Sequence, residues 1–262
     1  MEIGPGTRAI VSGATRGIGR CTARSLAARG ATVGLLARSA EELEALAAEV
    51  PNAVALPTDV SDREATEQAV SRFEQQAGGL ELLVANAAVA HTGPFLEVEP
   101  EQIDEMVQVN FVGTLNLVRA GLPAMLDRGR GHVVVVSSGA ALRSFPWTAV
   151  YGATKAAQRG FAEALRHELS GSGVSLTTAY PGEVRTSLHA HEREWMPDWF
   201  RPGDAIPPEL VSEAIVEAVN RDRREVFVPG QVRLLGLNGL APGLVDRLLT
   251  LIRGGAAAPR RY

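Results

Sequence analysis

Seven short runs rich in β-branched and apolar residues recur along the chain, each separated from the next by a stretch with helical patterning. They are Thr7–Ser12, Thr32–Ala37, Ala53–Thr58, Leu82–Asn86, His132–Ser137, Val174–Tyr180 and Glu225–Val228. Alternation of this kind reads as βαβ units around a parallel sheet. The fifth run holds Val133, Val134, Val135 and Val136 without a polar interruption, which suits a central strand buried on both sides. The pattern implies an α/β fold, a doubly wound parallel sheet with helices on both faces. Ser39 with Glu42 and Ser61 with Glu64 each fit an S-x-x-E capping box. Pro207 and Pro208 stand where a helix can begin, and residues 149–170 read as a helix.

The chain has 262 residues and no internal repeat or low-complexity linker, so residues 1–262 are expected to form a single domain. A net charge of −4 with scattered arginines argues against a nucleic-acid footprint, which would concentrate basic residues on one stripe. The single cysteine, Cys21, excludes an intramolecular disulfide and any cysteine-based zinc site. His91, His167, His189 and His191 form no metal-ligand constellation in sequence, and no metal is expected. The N-terminus lacks a basic region followed by an apolar stretch and a cleavage site, so a cytoplasmic protein is expected.

Three features carry chemistry. The first run leads into Ser12-Gly13-Ala14-Thr15-Arg16-Gly17-Ile18-Gly19 and then an alanine-rich helical pattern. Glycines at a strand-to-helix turn let a pyrophosphate approach the backbone amides at a helix N-terminus, so the motif points to dinucleotide binding in a Rossmann-like fold. At the end of the second run, where an acidic residue usually binds the adenosine ribose, the chain reads Ala37-Arg38-Ser39. Arg38, with Arg16 in the glycine loop, is instead suited to pair with a 2′-phosphate. NADP(H) is therefore the preferred cofactor, with NAD(H) as the alternative. The third feature is Lys155, the only lysine beside twenty-five arginines. Ammonium is compact and can shift its pKa on burial where guanidinium cannot, so a lone surviving lysine marks a place where arginine would fail. In a helix, Lys155 shares a face with Tyr151, four residues earlier.

With these residues in order, the chain resembles the short-chain dehydrogenase/reductase family, in its single-domain form. The matching positions are Gly13, Gly17 and Gly19; Asp59 after the third strand; Asn86-Ala87-Ala88 after the fourth; Asn110 in Val-Asn-Phe; Ser138 after the fifth; Tyr151 with Lys155; and Pro181-Gly182 with Thr186 after the sixth. They span roughly residues 7 to 186. Departures are Ser12 in place of the usual threonine and Ala88 in place of the last glycine of Asn-Ala-Gly.

The resemblance implies a hydride-transferring oxidoreductase that interconverts a carbonyl and an alcohol. Tyr151 would exchange the proton, Ser138 would hydrogen-bond the reacting oxygen, and Asn110 would hold a water linking lysine to solvent. A tyrosine near 10 needs its pKa lowered by about three units, roughly 4 kcal/mol, to act as a base at neutral pH; the Lys155 ammonium and, in the oxidised complex, the nicotinamidium ring are expected to supply this. Cofactor contacts are implied for the glycine loop, with Thr15 and Ile18 in it, for Asp59 and Val60 at the adenine, for Asn86 and Ala87 at the ribose, and for Lys155 at the nicotinamide ribose. Pro181, Gly182, Val184 and Thr186 would meet the carboxamide end. The rival from another class is a noncatalytic dinucleotide-binding redox sensor or scaffold.

Residues 187–206 are expected to form a substrate lid, holding Leu188, Trp195, Met196, Trp199 and Phe200, with His189 and His191 as further candidates for substrate contact. Leu142, Phe145 and Trp147 form a second apolar group. Together they suggest a bulky apolar small-molecule substrate. Residues 231–262 form an apolar extension whose charges and Pro242-Gly243 break argue against a transmembrane span; covering the cleft or packing on another subunit is favoured over contact with a membrane surface. The family resemblance implies a homodimer or homotetramer.

Overall fold

The four valines occupy the strand that anchors both layers of core. A computed structural model describes residues 1–186, Leu188, 205–243 and Arg247. Its strands are β1 Arg8–Ser12, β2 Thr32–Ala37, β3 Ala53–Pro57, β4 Leu82–Ala85, β5 Gly131–Val136, β6 Val174–Pro181 and β7 Glu225–Val228. All pair in parallel, in the order β3-β2-β1-β4-β5-β6-β7. Along β5 the side chains alternate, so Val134 and Val136 join one core and Val133 and Val135 the other. The helices are α1 Gly17–Ala28, α2 Ala40–Glu49, α3 Arg63–Ala77, α4 Pro100–Met106, α5 Gly113–Asp127, α6 Ala149–Glu168 and α7 Pro208–Asn220. Leu26 of α1 and Ile215 of α7 pack in the first core; Phe73 of α3, Leu117 of α5 and Leu165 of α6 pack in the second. These five helices turn an apolar stripe to the sheet, which is why an uninterrupted apolar strand is needed between them.

Two helix starts deserve comparison with their sequence signals. Ser39 caps α2 and accepts from the Glu42 amide at 3.3 Å, as the S-x-x-E pattern predicts. At α3 the cap is Asp62, which accepts from the Ala65 amide at 3.0 Å, and not Ser61. The reason is a competing bond: the Ser61 hydroxyl and amide both donate to Asp59 Oδ1, at 2.7 and 2.9 Å, closing a turn that moves the cap one residue on. Pro208 is the first residue of α7, as expected.

β1 leads to β2 and β3 on one side of the sheet, and the chain then returns to β4 on the other. This reversal between β1 and β4 parts the loops beyond their C-terminal ends and opens a crevice there. Beyond β7, Gly230–Gly239 winds as a 3₁₀ segment over the same end of the sheet. Among the described residues no helix is long and apolar enough to cross a membrane.

Candidate active site

The turn after β1 is shaped by close approaches that only glycine permits. Gly17 sits at φ +54°, and a Cβ there would press on Thr186 Cγ2 at 2.9 Å. At Gly19 a Cβ would stand 2.1 Å from the Gly13 carbonyl oxygen. The glycines thus bring the N-terminus of α1 against the loop, leaving its amides open to an anion. Ser12 ties this turn to the next strand: its buried hydroxyl accepts from the amides of Asn86 and Ala87 at 2.9 and 3.0 Å, while Asn86 Nδ2 donates to the Ser12 carbonyl at 2.9 Å. One hydroxyl suffices for those bonds, so serine fills the place of threonine without loss of them.

These loops wall a cleft of about 640 Å³. Gly13, Thr15, Arg16, Gly17 and Ile18 line it from the first turn, and Arg38, Asp59 and Val60 from the ends of β2 and β3. Asn86 and Ala87 line its middle; Pro181, Gly182, Val184 and Thr186 line it from β6 onward; and Ser138, Tyr151 and Lys155 face it from β5 and α6. Two of the sequence candidates stand behind the wall. Gly19 is buried by its contact with Gly13, and Asn110 is fully buried. Asn110 lies in a π-helical stretch, Val107–Val112, that links α4 to α5. Its Oδ1 accepts from the Val89 amide at 2.8 Å, and its Nδ2 donates to the Val89 carbonyl at 2.9 Å and to Thr154 Oγ1 at 3.1 Å. Its own carbonyl oxygen accepts from Thr114 Oγ1 and Gln158 Nε2. Asn110 therefore joins the exit of β4 to the helix that carries Tyr151 and Lys155. Asp59 spends Oδ1 on its turn while still facing the cleft.

The polar centre lies where β5 ends. Strand alternation separates the two serines: Ser137 is buried and donates to the Lys155 carbonyl at 2.9 Å, whereas Ser138 faces the cleft and hydrogen-bonds the Tyr151 phenol. One turn along α6, Lys155 Nζ donates to the Val136 carbonyl at 3.0 Å and lies 5.7 Å from the centre of the Tyr151 ring. Burial pushes the Tyr151 phenol up to about 12, with the Ser138 hydrogen bond pulling the other way. Burial pushes the Lys155 ammonium down to about 7. Desolvation is the larger influence on the phenol and the Ser138 hydrogen bond the opposing one, so the proton stays on Tyr151 at neutral pH.

The far wall is apolar. Phe145 and Trp147 line it from the loop before α6, Leu188 from the start of the expected lid, and Leu235 from the 3₁₀ segment; Leu142 is not part of the lining. Trp147 holds φ +66°, an unfavourable region for a bulky side chain, fixed by a hydrogen bond from the Gly93 amide to its carbonyl at 2.9 Å. His189, His191, Trp195, Met196, Trp199 and Phe200 lie outside the described residues. Sequence reading missed Leu235, whose approach is permitted by Gly139: a Cβ on that glycine would stand 3.3 Å from Leu235 Cδ1. The leucine-rich pattern of the extension was the available signal, without a way to choose which leucine turns inward.

A match to the short chain dehydrogenase family spans residues 7–197. The chain belongs to the short-chain dehydrogenase/reductase family. An uncharacterized oxidoreductase of Myxococcus xanthus is 37% identical to it over 228 residues, 86% of this chain and 88% of the relative. Among solved structures, an alcohol dehydrogenase from the archaeon Thermococcus sibiricus, complexed with 5-hydroxy-NADP, is 28% identical with a TM-score of 0.75, covering 84% of this chain and 95% of that one. The 3-ketoacyl-(acyl-carrier-protein) reductase of Brucella melitensis, complexed with NADH, is 26% identical with a TM-score of 0.79, covering 86% and 97%. As a short-chain dehydrogenase/reductase, the chain is an oxidoreductase of alcohol and carbonyl groups that uses a nicotinamide dinucleotide. Its glycine turn and open helix N-terminus have the donor chemistry such a cofactor needs.

Proposed function

We propose that this short-chain dehydrogenase/reductase reduces a bulky apolar ketone or aldehyde with NADPH, using Tyr151 as the proton donor. One observation carries the proposal: the Tyr151 phenol, hydrogen-bonded to Ser138, shares the wall of a single cleft with Lys155, the glycine turn and an apolar far side. The glycine turn, Asp59, Val60, Asn86, Ala87, Lys155 and the Pro181–Thr186 segment would hold the dinucleotide. When bound, it supplies the hydride. Tyr151 Oη would give its proton to the carbonyl oxygen, and Ser138 would donate a hydrogen bond to the same oxygen, stabilising the charge that builds on it. The phenolate left behind is balanced by Lys155 in its protonated form and regains a proton from solvent. Asn110 is a positioning residue, holding α6 against the exit of β4 through Thr154.

NADPH is favoured over NADH by charge. The residue that follows β2 is Arg38 and not an acid; it lines the cleft with Arg16, while Glu42 lines it from the start of α2, and Arg16 makes no ion pair among the described residues. The Thermococcus relative holds an NADP-type nucleotide and the Brucella relative NADH, so the fold itself accepts either. Phe145, Trp147, Leu188 and Leu235 support an apolar substrate. Exposed Phe95, Leu96 and Val107, before and beside the turn that carries Asn110, support self-association as a homodimer or homotetramer.

The deciding experiment is fluorescence titration with NADPH and NADH, then a screen of ketones and aldehydes. Tight NADPH binding with turnover of apolar carbonyls is expected. Tyr151→Phe should lower kcat by about 10²–10⁴-fold while leaving NADPH affinity nearly unchanged. Wild-type turnover in that variant would sink the mechanism; binding with no turnover of any carbonyl would favour a redox sensor.

A further inference from the structure

Arg38 does not stand alone at the adenosine end of the cleft. Its Nη1 donates to Glu105 Oε1 of α4 at 3.3 Å, while Glu105 Oε2 lies 2.9 Å from His91 Nε2. The two partners of Glu105 differ in exposure: the His91 side chain is 16% exposed and that of Arg38 is 58% exposed. Glu105 is thus held from within by His91 and reaches outward to Arg38. Arg38 lines the cleft and Glu105 does not, and the remaining donors of the guanidinium, Nε and Nη2, make no bond among the described residues.

We infer that Glu105 determines dinucleotide specificity by counter-charging Arg38, narrowing the preference for NADPH over NADH. The inference rests on the reading of Arg38 as the partner of the 2′-phosphate. An exposed guanidinium–carboxylate pair is weak, so Arg38 can turn its free donors into the cleft at little cost. Glu105 cannot follow, because His91 holds it. Hydrogen bonding with His91 also keeps the carboxyl below its usual range, and therefore ionised at neutral pH. A 2′-phosphate carries close to two negative charges there. Seated on Arg38, it meets a fixed carboxylate on the far side of the same guanidinium and is repelled. NADH presents an uncharged hydroxyl at that point and is indifferent to Glu105.

The test is fluorescence titration of NADPH and NADH with the wild type, Glu105→Gln and Arg38→Gln. Glutamine keeps the shape of the side chain and a carbonyl to face His91. Removing one unit charge several ångströms from a phosphate dianion should tighten NADPH about three- to tenfold. NADH affinity should stay within about twofold, which also reports that the variant is folded. Unchanged or weaker NADPH binding by Glu105→Gln, or equal gains for both cofactors, would overturn the inference. The Arg38→Gln arm separates the two ideas: if it weakens NADPH selectively, the 2′-phosphate reading stands whatever Glu105 does, and if it weakens both cofactors equally, that reading falls and the inference with it.

Discussion

Lys155 and Tyr151 are moved off their ordinary protonation by one cause, burial, acting in opposite directions on charge. Tyr151 is neutral when protonated, so burial holds its proton; Lys155 is neutral when deprotonated, so burial expels it. This gives a stability signature. The unfolded chain keeps the Lys155 proton up to about 10.5, and the folded chain only up to about 7. Between those values the unfolded state binds more protons, so stability rises with pH; below about 7 the cost of burying the ammonium is present in full. Lys155→Met, apolar and of similar length, removes that cost. The variant is expected to gain most in melting temperature over the wild type at pH 6, with the gain shrinking steadily toward pH 9.5. A pH-independent difference between the two proteins would show that Lys155 keeps its charge when folded. The single lysine was visible in sequence, and so was its partner one turn away; the direction in which burial drives the pair was not, because desolvation depends on neighbours from β5 and the loop before α6.

At the scale of the element, local signals succeeded where bonds are local and failed where a neighbour competed for the same donor. Ser39 caps α2 because nothing else among the described residues claims its hydroxyl. Ser61 matches the same pattern, yet its hydroxyl goes to Asp59, and Asp62 caps α3. Asp62→Ala should therefore destabilise by about 1 kcal/mol, a fall of roughly 2–4 °C in melting temperature, and Ser61→Ala should cost less. Thermal unfolding of both variants checks this, and the reverse order would restore Ser61 as the cap. The π-helical stretch around Asn110 is a second case. The Asn110 carbonyl accepts from Thr114, four residues on, and from Gln158 of α6, 48 positions away, which also donates to Thr114. No local window of sequence holds Gln158 and Asn110 together.

At the scale of the whole molecule, the cleft exists because strand order reverses between β1 and β4, and it is lined by strand ends, the loops that follow them and helix residues, Tyr151 and Lys155 of α6 among them, gathered at one end of the sheet. A ligand spanning those loops binds only the folded state. At one hundred times its Kd, NADPH should stabilise the wild type by about 2.7 kcal/mol, raising the melting temperature by roughly 5–10 °C. Gly19→Ala, which places a Cβ against the Gly13 carbonyl, should lose most of that shift. A full shift in the variant would mean that the glycine turn does not carry the dinucleotide.

The sequence by itself determined the strands and their parallel character, the family, and which residues gather at the carboxyl ends of the strands, because periodicity and glycine spacing are properties of neighbouring residues. Strand order, the retreat of Asn110 and Gly19 behind the wall, the inward turn of Leu235 and the bond between Glu105 and Arg38 were decided only by the tertiary structure. Each of these depends on which distant groups meet and on how much water they exclude, and neither quantity is written in any local stretch of chain.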